Sequence, residues 1–108
     1  MITTEQAGPQ TTIVAVRGEV TFANVGALER ALAAEAAAHV LVDLTDVAFM
    51  DSSGLSALIT ASARARERGG TVALVVAADE PPSIFRFRGV DRLVALYPSR
   101  EAALTALG

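Results

Sequence analysis

The chain has 108 residues, of which 52% are apolar, a net charge of −3 and no cysteine. One domain with a self-sufficient core fits this size, while disulfides, thiolate ligands and thiol catalysis are excluded. The acidic balance argues against broad nucleic-acid binding.

Thr11 to Arg17 reads as a strand, with β-branched residues and a turn signal at Gly8-Pro9 before it. Ile2 to Gln6 is expected to pair with it as a weak edge strand. Gly18 to Thr21 leads into a first helix. Asn24 is placed as its N-cap, with Val25, Leu28, Leu32 and Ala36 on one face. The alanines 36 to 38 suggest close packing against a neighbour. Val40 to Leu44 reads as a short buried strand. Thr45 to Met50 reads as a loop whose Val47 and Phe49 tuck into the core. A second helix spans about Ser52 to Arg68, with Leu55, Leu58, Ile59 and Ala63 as its buried stripe. Gly69-Gly70 stops it, and Arg66 and Arg68 suit its C-terminal dipole.

Thr71 to Val76 reads as a third buried strand. Pro81 begins a short helix ended by Gly89, and within it Phe85-Arg86-Phe87-Arg88 is read as carrying one buried phenylalanine. Leu93 to Leu96 is placed as a final strand. A terminal helix follows, capped by Ser99, with Leu104 and Leu107 facing inward. The order β-β-α-β-α-β-α-β-α predicts an α/β fold in a single domain over residues 1–108, with a mixed β-sheet of about five strands packed with four helices.

The residues offer little catalytic machinery. All nine basic residues are arginine, so Schiff-base chemistry and a P-loop lysine are absent. The single histidine, His39, reads as a strand-edge residue, and Ser53-Gly54-Leu55-Ser56 does not match a nucleophile elbow. Asp43, Asp46 and Asp51 have no nearby histidine or cysteine; Asp43 reads as a polar strand end and Asp46 as a turn former. An aspartyl-phosphate receiver would resemble its relatives in an acidic pair after the first strand and a late lysine, and neither is present. No catalytic residue, metal or cofactor of the chain's own is expected. Met1 to Gln6 has no secretory character, and the longest apolar run, Val72 to Ala78, is too short to span a bilayer. A soluble cytoplasmic protein without membrane insertion is the expectation.

The informative stretch is Asp51-Ser52-Ser53-Gly54-Leu55. Two hydroxyls stand at a strand-to-helix junction, where a helix offers unpaired N–H groups and positive dipole charge. A phosphoryl group there would gain from the helix and suffer from Asp51, which suits a reversible charge switch. A helix cap alone also accounts for these residues. Asp51 is expected to cap the helix, to shape the local field and to orient the Ser52 hydroxyl. Ser53 is expected to support the first turn. Gly54 allows either close approach by a partner or tight internal packing. Ser56 and Thr60, one turn apart, either extend a contact face or are simply solvated.

The run from Val40 to Leu55 closely resembles the signature of STAS domains, and more narrowly that of bacterial anti-sigma-factor antagonists. Gly18-Glu19-Val20, Gly69-Gly70, Gly89-Val90 and Ser99 to Leu107 agree, so the resemblance covers nearly the whole chain. It implies a STAS fold and partner switching. In that family the unphosphorylated antagonist binds an anti-sigma factor that is often a serine kinase, which frees the sigma factor. The kinase brings ATP and magnesium and phosphorylates the serine after the motif aspartate; a serine phosphatase restores the free form. By position Ser52 is the matching phosphoacceptor, and Thr21, Asp51, Ser52, Ser53, Gly54, Ser56 and Thr60 are the expected partner-binding residues. One departure is visible: relatives commonly carry an acid after Gly-Glu-hydrophobic, where this chain has Thr21. The alternative implied by the resemblance is a subunit of a signalling scaffold or transporter-associated complex that acts by binding alone.

Overall fold

The computed structural model describes residues 1–77, 79, 81–86 and 89–107, with Arg86 described in its backbone only. Phe87 and Arg88 of the short aromatic stretch lie outside these residues. Strands β1 (Ile2–Gly8) and β2 (Thr11–Val20) form an antiparallel hairpin. Helix α1 (Val25–Ala34), strand β3 (His39–Met50), helix α2 (Ser52–Glu67) and strand β4 (Thr71–Val75) follow. A 3-10 turn (Ser83–Arg86), helix α3 (Val90–Leu93), strand β5 (Ala95–Tyr97) and helix α4 (Arg100–Leu107) complete the chain. The five strands lie in sequence order, and β2 to β5 are mutually parallel.

That order determines the layers. Parallel neighbours need crossovers of one hand, so crossovers that advance in one direction lie on one face of the sheet. Leu28 and Leu32 of α1, Leu58 and Ala65 of α2, Phe85 and Val90 all pack there against Val14, Val42 and Leu74. The terminal helix α4 covers the opposite face, where Ala103, Leu104 and Leu107 meet Ile13, Leu41 and Val75. Ser99 caps it as expected, its Oγ accepting from the Ala102 N–H at 3.1 Å. Phe85 of the short stretch is buried.

Residues 45–50 are not a loop. They continue β3 and pair with β2 alone, because β4 pairs only as far as Asp43↔Val75. The β2–β3 register shifts between Ala15 and Arg17 and again between Gly18 and Glu19, each time with an extra residue on β3. Each bulge breaks the alternation of faces. The result is burial of Leu44, Val47 and Met50 at every third position, while Phe49 is 44% exposed rather than tucked in. Asp46 is accordingly a strand residue, not a turn former. Gly18, at φ +91°, supplies a backbone conformation that most side chains resist.

Other boundaries move for local reasons. Asn24 precedes α1 but does not cap it with its side chain, which instead ties the preceding turn to itself. Helix α1 ends at Ala34, so Ala36 leaves the predicted face and is exposed. On α2 the buried residues are Gly54, Ala57, Leu58, Ser62 and Ala65; Leu55 and Ile59 are half-buried and Ala63 is exposed. Small residues set that helix close to the sheet and rotate the stripe away from its bulkier side chains. Gly89, at φ +87°, precedes α3 instead of ending a helix begun at Pro81. The last strand begins two residues later than the pattern suggests, at Ala95.

The end of α2 is built as the glycines predict. The Gly70 N–H donates to Ala65 O at 2.7 Å and the Gly69 N–H to Arg66 O at 3.1 Å, with Gly69 at φ +78°. This is the paired 6→1 and 5→2 closure of a Schellman motif.

Candidate functional site

The junction of β3 and α2 is organised by one carboxylate. Asp51 occupies the N-cap in extended conformation, and its Oδ1 accepts from the N–H groups of Ser53 at 2.9 Å and Gly54 at 3.3 Å. Two of the orphan donors of α2 are thereby satisfied. Its Oδ2 accepts from the Phe22 N–H at 2.9 Å, across 29 residues of sequence. The Phe22 N–H, and then those of Gly54 and Ser53 with the Ser53 hydroxyl, hold the Asp51 carboxyl below its ordinary pKa. Asp51 is therefore a fixed negative charge that staples the loop before α1 to the start of α2. Its oxygens are directed to these donors, so the expected orientation of the Ser52 hydroxyl by Asp51 is not what the structure shows.

Ser52 is the first residue of α2 and is exposed. It sits beside Asp51 at the positive end of a sixteen-residue helix. Ser53 is half-buried and supports the first turn, as the sequence suggests. Gly54 is buried: a Cβ there would lie 2.6 Å from Met50 Cγ and 2.9 Å from Val20 Cγ1. Of its two sequence readings, tight internal packing is the one this geometry supports.

Ser56 and Thr60 are exposed on the next two turns. With Ser53 and Arg64 they line one wall of a groove of about 450 Å³ between α2 and α1. Phe22 and Val25 stand on the other side. Thr21 is placed near the start of α2 through its neighbour's bond to Asp51. Its hydroxyl accepts from the Ala23 N–H at 3.3 Å, and its carbonyl accepts from the N–H groups of Asn24 and Val25. Thr21 thus has a local role in shaping the turn that an acid's charge would not be needed for.

Sequence reasoning passed over Phe22 and gave Asn24 only the role of a helix cap. Asn24 Oδ1 accepts from the Thr21 N–H and its Nδ2 donates to Glu19 O, both at 2.9 Å, which locks the loop. Phe22 is 83% exposed. The available signal was an aromatic residue between a glycine-led strand end and a helix cap, where the helical pattern gives it no place in the core.

The remaining candidates fall away from this site. Asp43 is not a strand end; it lies within β3, 8% exposed, and accepts from Arg100 Nε at 2.6 Å and from Thr45 N–H and Oγ1. Burial raises its pKa, but the Thr45 and Arg100 bonds outweigh that, and the net direction is downward. His39 opens β3 at the end opposite Ser52, so it is no base for that hydroxyl. No helix among the described residues is long and apolar enough to cross a membrane.

A family model described as the STAS domain matches residues 2–103. Among solved structures, the chain is similar to an anti-sigma factor antagonist from Mycobacterium paratuberculosis, at 28% identity and a TM-score of 0.79 over 99% of this chain and 94% of that one. A putative anti-sigma factor antagonist from Thermotoga maritima shares the fold at 18% identity and a TM-score of 0.85, over 98% and 93% of the two chains. So does part of a murine anion transporter of the Solute Carrier 26 family, at 20% identity and a TM-score of 0.75, over 94% of this chain but 18% of the transporter.

Proposed function

This chain belongs to the STAS domain family, and we propose that within it the protein is an anti-sigma-factor antagonist switched at Ser52. The observation that carries the reading is an exposed Ser52 hydroxyl on the first turn of α2, next to a carboxylate already committed to capping that helix. In the unphosphorylated form the protein binds an anti-sigma factor with serine-kinase activity in the cytoplasm and so frees a sigma factor. It acts by binding and supplies no catalysis; the kinase brings ATP and magnesium, and a serine phosphatase resets the switch. The contact face comprises Ser52 and the exposed or half-buried residues around it, Thr21, Asp51, Ser53, Ser56 and Thr60.

The energetics suit a local switch. Phosphorylation adds about −1.5 to −2 charges and three acceptor oxygens. Asp51 stays ionised beside it, held so by the Phe22, Gly54 and Ser53 donors. Repulsion and lost packing worth about 3 kcal/mol would weaken the complex roughly a hundredfold. No rearrangement of the backbone is needed.

Phosphosite mapping on protein from its native cells tests this. The tryptic peptide from Ala31 to Arg64 contains Ser52, Ser53, Ser56 and Ser62, so fragment spectra must separate them. Phosphate on Ser52 that disappears in Ser52→Ala is the expected result. No phosphate under any growth condition would favour the second reading, binding alone within a scaffold or transporter-associated complex, for which the fold shared with the anion transporter speaks.

A further inference from the structure

Among the described residues, Phe22 is the most exposed large apolar side chain. A single exposed aromatic is ordinary, but three features set this one apart. Its loop is immobilised: Asp51, Asn24 and Thr21 each accept a backbone N–H within residues 21–23. It is tied to the same carboxylate that caps the helix carrying Ser52. It is also continuous with the groove between α1 and α2, beside Val25 and Ala61.

We propose that Phe22 is the apolar anchor of the anti-sigma-factor contact, presented in a fixed position by the Asp51 carboxylate. The proposal rests on the function proposed above and deepens it. Anchors that dominate interfaces are rigid aromatic groups seated in a desolvated pocket, and a pre-set loop lowers the ordering cost of binding. The partner must then offer an apolar recess for the ring, placed next to whatever reaches the Ser52 hydroxyl. The same geometry makes the anchor sensitive to modification. A phosphate on Ser52 would stand beside Asp51, whose Oδ2 is 2.9 Å from the Phe22 nitrogen. Seating the ring would then require dehydrating a dianion at the edge of the recess.

Calorimetric titration separates the two ideas. Each anti-sigma-class serine kinase of the source genome is purified and titrated with the wild-type chain, Phe22→Ala and Phe22→Leu. The expected result is one kinase that binds the wild type, a loss of at least about tenfold in affinity for Phe22→Ala, partial recovery in Phe22→Leu, and melting temperatures that agree for all three. A kinase that binds wild type and Phe22→Ala equally overturns the anchor and leaves the proposed function standing. A Phe22→Ala chain that loses affinity only because its melting temperature collapses also overturns it, since the ring would then serve the fold. If no kinase binds the wild type, the proposed function fails and the anchor with it.

Discussion

Gly54 and Gly70 are both buried glycines, yet they constrain the chain differently. At Gly54 an added Cβ meets the buried side chains of Met50 and Val20, which must repack; at Gly70 it meets the backbone carbonyl of Ala38, so the main chain itself must move. Gly54→Ala is therefore expected to cost about 1–3 kcal/mol, in the range for overpacking, and Gly70→Ala distinctly more. Urea denaturation of both variants checks the order. Asp51 gives a second prediction. Its folded pKa lies below its unfolded value, so its stabilisation is complete above about pH 4 and is lost as pH falls through the folded pKa. Asp51→Asn should lower stability near neutrality and make the acid limb of the stability curve shallower. The candidate site was legible at this scale as far as residue type allows. An aspartate and serines before an apolar run announce a capped helix, and Ser52 stands where the pattern puts it. The carboxylate's second bond, to Phe22, was not legible, because contacts across 29 residues leave no local trace.

Among the elements, β3 shows where pattern reading fails. A strand is recognised by alternation, and two bulges turn alternation into burial at every third position. The run after Leu44 therefore looked like a loop, although it continues the strand that delivers Asp51 to its place. The helices α2 and α4 and the Gly69-Gly70 stop were legible because their signals are local: caps, periodicity and glycine. Helix α4 is held by more than its apolar face. Arg100 joins Asp43 of β3 at 2.6 Å and Glu5 of β1 at 2.8 Å, linking three elements through one guanidinium. Arg100→Met leaves the buried Asp43 with the Thr45 donors alone. The expected loss is about 1–2 kcal/mol, below the full value of a charged hydrogen bond because the arginine is partly solvated. Asp43 has a lowered folded pKa, so this contribution too is present above the unfolded pKa and lost as pH falls through the folded one. The variant's stability should therefore converge with that of the wild type in acid, which a denaturation series carried from pH 7 down through the folded pKa of Asp43 would show.

For the whole molecule, the sequential strand order places β3 and β4 inside the sheet, where Leu41, Val42, Leu74 and Val75 are fully buried. Strand β1 is an edge with mostly exposed residues. Local opening is cheapest where few apolar contacts are lost, so amide exchange should be slowest along β3 and β4 and fast along β1. The helix carrying Ser52 grows directly out of β3, and its capping carboxylate belongs to the junction between them. On the proposed reading, a charge added at Ser52 acts on this junction, and its effect is expected to stay at the outer surface. Hydrogen exchange on the phosphorylated protein should leave protection in β3 and β4 unchanged. Differences should be limited to the first turn of α2 and residues 21–24, which Asp51 connects to it. Loss of protection spreading into β4 would mean that the switch works by loosening the fold, and the local account of partner release would have to be abandoned.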